Sequence, residues 1–136
     1  MNNTQTYIAF IGNSGIGKTT LISAFFTYLT GETVSADMIN NEVSCFHSGS
    51  KLILTDNLIN IKESQDPIIV CLIDYNKQEE SKSYCRETIE KEGLSGKHMI
   101  LFYTHAPYNY EDYFQSKLLG KELSLDYLLE RIEDLL

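Results

Sequence analysis

The sequence predicts an α/β fold with a mainly parallel central sheet covered by helices on both faces. Three observations carry this. Short apolar runs of strand character alternate with segments of helical periodicity, a glycine-rich turn joins the first strand to the first helix, and the run at 68–73 is apolar throughout, as in a strand buried on both faces.

Residues 7–11 read as a strand, and residues 18–30 carry Leu21, Ile22, Phe25, Phe26 and Leu29 at helical spacing, with Gly31 ending the helix. A polar stretch over 32–41 leads into two β-rich runs, 42–47 and 51–55, and the Ser48-Gly49-Ser50 turn between them predicts an antiparallel hairpin. After a polar segment and Pro67 comes the central strand at 68–73. Residues 79–92 predict a surface helix with a buried stripe through Tyr84, Cys85, Thr88 and Ile89, closed by Gly93. Residues 98–103 supply another buried strand, and 106–112, with its tyrosines, reads as an irregular surface loop. Residues 124–136 predict an amphipathic helix with Ser124 as N-cap, Asp126 in the first turn, and Leu125, Leu128, Leu129, Ile132 and Leu136 on one face. The 136 residues suffice for one core, so a single domain over 1–136 is expected, with its ligand at the carboxyl ends of the strands.

Eleven basic residues against 19 acidic ones give a formal charge of -8, which argues against nucleic acid or an anionic membrane as partner. No apolar run approaches the roughly 20 residues of a membrane-spanning helix. The polar, uncharged segment 1–6 has no signal-peptide character, so a cytoplasmic location is expected, and Cys45, Cys71 and Cys85 then read as reduced core thiols.

The specific signal is Gly12-Asn13-Ser14-Gly15-Ile16-Gly17-Lys18-Thr19, a complete GxxxxGK(S/T) match between a predicted strand and a predicted helix. Its glycines allow successive N–H groups to turn inward on anionic oxygens, and the positive end of the following helix reinforces that cradle. The expected phosphate contacts are Asn13, Ser14, Gly15, Ile16, Gly17, Lys18, Thr19 and Thr20, with Lys18 reaching the β and γ phosphates and the Thr19 hydroxyl taking one position on a Mg2+ ion. A second acid is expected to hold a magnesium-bound water. Asp56, ending the second hairpin strand, is the first choice and Asp74, after the central strand, the fallback.

The series G-N-S-G-I-G-K-T-T-L, followed by a hairpin whose second strand ends in aspartate, resembles the small Ras-like P-loop GTPases. Within them it looks most like the ethanolamine- and propanediol-utilisation P-loop proteins. The resemblance implies a three-layer P-loop NTPase fold with about six strands, phosphate and magnesium roles for Lys18 and Thr19, and a switch threonine that is Thr33 or, second, Ser35. Departures are as informative. Where the family has DxxG this chain has Asp56-Asn57-Leu58-Ile59, losing the γ-phosphate-sensing glycine. Where it has (N/T)KxD the chain has Thr104-His105-Ala106-Pro107, losing the lysine and aspartate that select guanine. Ser116-Lys117 is similar to the start of the family's SAK turn. No glutamine follows Asp56 directly to position water.

The expected function is therefore Mg2+-dependent binding of a purine nucleotide, GTP or ATP, with slow hydrolysis carried by Lys18 and Thr33, a protein partner, and a link to ethanolamine or propanediol use. The alternative is a non-hydrolysing interaction or scaffold module of the same fold. A small-molecule kinase would need a lid and acceptor site that this length scarcely allows. The three histidines show no metal-ligand spacing.

Overall fold

The computed structural model describes residues 4–13, 16–32, 42–58, 61, 66–94, 98–104 and 121–136. Among these, five strands form one sheet in the order β2-β3-β1-β4-β5. They are β1 (Thr4–Ile11), β2 (Glu42–His47), β3 (Ser50–Thr55), β4 (Ile68–Asp74) and β5 (His98–Thr104). The resemblance implied about six. The helices are α1 (Lys18–Thr30), α2 (Gln78–Lys91) and α3 (Lys121–Leu135).

All pairings are parallel except the β2–β3 hairpin. Its loop is two residues long, Ser48 and Gly49, both at positive φ (51° and 83°), which matches the right-handed twist of the strands it joins and draws Ser50 into β3. Strand β1 begins three residues earlier than its apolar run because Thr4, Gln5 and Thr6 are held by pairing with Ser50, Lys51 and Leu52. Every residue of β4 from Ile68 to Ile73 is buried, as its unbroken apolar run requires of a strand covered on both sides.

Alternation along the strands divides the core into two layers. Ile8, Phe10, Leu54, Val70 and Phe102 face Ile22 and Phe25 of α1 and Leu125, Leu128 and Ile132 of α3. Ala9, Ile11, Ile69, Cys71 and Ile73 face the opposite layer, where Cys85 and Ile89 of α2 pack with Leu94 and Ile61. His47 and Glu133, 2.8 Å apart, tie the β2 edge to α3.

Two sequence expectations are corrected. Tyr84 is 40% exposed, and the buried stripe of α2 is Ser81, Cys85 and Ile89. These recur every four residues, whereas Tyr84 stands about 100° around the helix from Cys85. Ser124 is not the N-cap of the last helix, which starts at Lys121: Lys121, Glu122 and Leu123 are good helix formers and extend it upstream. The expected loop at 106–112 lies outside the described residues.

Candidate functional site

Strand β1 ends at Ile11, Gly12 follows, and α1 starts at Lys18, so the glycine-rich segment is a strand-to-helix loop at the carboxyl end of the central strand. Gly12 is enclosed. A Cβ there would come within 2.8 Å of Ile16 Cγ2 and 3.2 Å of Leu72 Cβ, so only glycine lets the loop lie against β4. Gly17 has φ 102°, a left-handed conformation that turns the chain into α1. The Ile16 side chain is buried in the core, and its N–H donates to the Asn13 carbonyl at 3.1 Å.

The Lys18 ammonium folds back into this loop. It donates to the carbonyl of Gly12 at 2.5 Å and sits 3.4 Å from that of Asn13. Gly17 offers no side-chain cap and the first turn of α1 holds no acid, so the positive helix end is not neutralised from within. Thr19 and Thr20 are exposed on that turn. A lysine cation and an uncapped helix N-terminus therefore meet in this loop, a combination that favours anionic oxygens.

The two candidate acids differ in surroundings. β3 runs parallel to β1, and the Ala9–Thr55 pairing carries Asp56 to the same end of the sheet as Gly12. Thr55 is buried and its hydroxyl accepts from the Asn57 N–H at 2.9 Å, folding the chain around Asp56. Asp56 Oδ1 is buried with no hydrogen-bond partner, as is Asn13 Oδ1 in the loop. Asp74 accepts from the Asn76 N–H at 2.9 Å and caps the short 3-10 helix Tyr75–Lys77, while its own N–H donates to Ser81 at 3.0 Å. One carboxylate thus has a buried oxygen to offer a cation's hydration shell, and the other is engaged in holding backbone. The capping of Asp74 had a sequence signal, an aspartate directly before a helix start; the orphaned oxygens of Asp56 and Asn13 had none.

Beyond Asn13 lies an open recess of about 510 Å³ lined by Glu79, Glu80, Ser83, Tyr84 and Glu87 of α2. Carboxylates at this position make a polyanion costly to bring in unless a cation accompanies it.

No protein-family model matches the chain, and no curated protein matches it in sequence. In three dimensions it superposes on the FeoB G-domain from Methanococcus jannaschii with a TM-score of 0.62 at 20% identity, over 97% of each chain. The fold is a G-domain fold. In this G-domain fold the described loop residues Asn13, Ile16, Gly17, Lys18, Thr19 and Thr20 come together with Asp56 at one end of the sheet. Ser14, Gly15 and Thr33 lie outside the described residues, as do Ser35, Ile59, residues 105–120 and hence most of the expected base-contacting segment. Among the described residues no group of three or more His, Cys, Asp and Glu could hold a metal directly, and no helix is long and apolar enough to cross a membrane.

Proposed function

We propose that the chain is a magnesium-dependent nucleotide-binding P-loop protein that takes GTP or ATP. The observation that carries this reading is the Lys18 ammonium resting on the Gly12 and Asn13 carbonyls in a loop braced against β4, with the unpartnered oxygen of Asp56 just past the end of β3. Lys18 would exchange carbonyl oxygens for the β and γ phosphate oxygens, and the loop N–H groups from Asn13 through Thr20, with Ser14 and Gly15 between, would enclose the rest. Thr19 would ligate Mg2+ and Asp56 would hold one of its waters. The ion's chemistry is to neutralise phosphate charge, here in the presence of the nearby Glu79, Glu80 and Glu87.

Thr33, in the polar stretch after α1, would be the switch threonine that reaches Mg2+, and hydrolysis would be slow because no glutamine directly follows Asp56 to position water. Thr104-His105-Ala106-Pro107 lacks the lysine and aspartate of a guanine reader, so the base is either purine. A cytoplasmic location is part of this reading, and a place in ethanolamine or propanediol use rests on the family resemblance alone. A second reading, a non-hydrolysing module acting through a protein partner, is favoured by Ile59 in place of the sensing glycine and by Phe46, 69% exposed on edge strand β2.

The test is equilibrium binding of fluorescent GTP and ATP analogues with and without Mg2+, with Lys18→Ala as control. Magnesium-dependent binding lost in the variant is expected. Folded protein that binds neither nucleotide below millimolar concentration would sink this reading and leave the interaction module.

A further inference from the structure

On the α2 side of the sheet, two thiols with no part in phosphate binding meet below the loop. Cys71 of β4 and Cys85 of α2 are 0% and 4% exposed, belong to the same core layer, and interact through their side chains. Both line a cleft of about 320 Å³, whose walls include Ile73 and Leu101 and which also holds the half-buried Lys82 and exposed Arg86. A cleft of that size admits a small oxidant.

The pair is joined to the phosphate loop from two sides. The Cys85 thiol donates to the carbonyl of Ile11 at 3.8 Å, the residue just before Gly12. Leu72, next to Cys71, is the β4 residue on which Gly12 packs. A change in the sulfur geometry therefore reaches both the strand end and the floor of the loop.

We propose that Cys71 and Cys85 are a redox-active dithiol that a hydroperoxide closes to a disulfide, and that closure loosens the phosphate loop. With hydrogen peroxide as the hydroperoxide, the Cys85 thiol gives up its proton, the thiolate attacks a peroxide oxygen, the O–O bond breaks, and Cys85 becomes a sulfenic acid while the departing hydroxide takes up that proton as water. Cys71 sulfur then attacks the Cys85 sulfur, the S–O bond breaks, and the departing hydroxide takes the Cys71 proton as a second water. Two thiols lose two electrons and the peroxide gains them. The roles follow from the surroundings: the hydrogen bond from Cys71, with the charge of Lys18, lowers the Cys85 thiol pKa against the opposing effect of burial, and the same hydrogen bond together with burial raises that of Cys71. Closure removes the S–H donor from the Ile11 carbonyl and draws α2 toward β4. Cys45 lies in the opposite core layer and takes no part.

The full chain, treated with hydrogen peroxide in native buffer, blocked with N-ethylmaleimide and mapped by mass spectrometry without reduction, should show one cross-linked peptide joining 71 and 85, lighter by two hydrogens and restored by dithiothreitol. It should persist in Cys45→Ala and vanish in Cys71→Val, which roughly conserves volume, and in Cys85→Ser, which keeps a donor for Ile11. Amide exchange at residues 11–13 should be about tenfold faster in the oxidised form. Thiols that stay reduced, sulfinic acid at Cys85 without a cross-link, a cross-link through Cys45, or unchanged exchange at the loop would each overturn the proposal. An effect on nucleotide affinity rests on the nucleotide-binding reading; reduced protein that binds no nucleotide would end that reading and leave the cross-link to be decided by the mapping.

Discussion

The Lys18 ammonium donates to the Gly12 carbonyl at 2.5 Å, so the cation of the glycine-rich loop is also a strut across it. On the proposed reading a bound phosphate would compete with that carbonyl for the same protons. Lys18→Ala should weaken nucleotide binding by about 10- to 100-fold, the loss of charge-assisted hydrogen bonds worth roughly 1.5–3 kcal/mol. Isothermal calorimetry of both proteins measures it, and equal affinities would remove Lys18 from the site.

Asp56 and Asp74 should separate cleanly by substitution. Asp56→Asn removes a carboxylate with a buried, unpartnered oxygen, so stability should hold or rise while the magnesium dependence of binding is lost. Asp74→Ala removes the acceptor for the Asn76 N–H and should cost about 1 kcal/mol with the magnesium titration unchanged. Urea unfolding beside magnesium titration of both variants gives the answer, and the opposite pattern would exchange the two roles.

Gly12→Ala places a methyl 2.8 Å from Ile16 Cγ2, a branch atom that cannot swing clear without moving its own buried side chain. The expected cost is about 1–3 kcal/mol of overpacking, accompanied by weaker nucleotide binding as the loop lifts from Leu72. A melting temperature equal to wild type would show that the loop relaxes freely.

Burial raises the Cys45 thiol above its ordinary value of 9.0. The folded state therefore favours the protonated thiol; the contribution is full below pH 9.0 and is lost as pH rises through the folded value. Urea midpoints from pH 8 upward should fall more steeply for wild type than for Cys45→Val, and parallel curves would contradict the assignment.

The strand-to-helix position of the glycine-rich loop was legible because its constraint is local: Gly17 must take a positive φ, and Lys18 must follow it into a helix, within a span of eight residues. The strand runs were legible for a related reason, since burial on both faces leaves β4 no polar position. Tyr84 was misplaced because the stripe of α2 is anchored by Ser81, whose hydroxyl is satisfied by the Asp74 N–H, a partner seven residues away on another element. A polar residue at a core position cannot be read until its partner is known.

The sequence by itself determined the α/β class, the β2–β3 hairpin and the position of the loop between β1 and α1, all set by short-range backbone and periodicity constraints. Tertiary structure decided what depends on distant segments meeting. It paired β1 with β3 and β4, which brings Asp56 to the loop's end of the sheet. It also set Cys71 against Cys85 beneath Ile11, because strand register and helix packing, and no local spacing, determine which side chains share a buried layer.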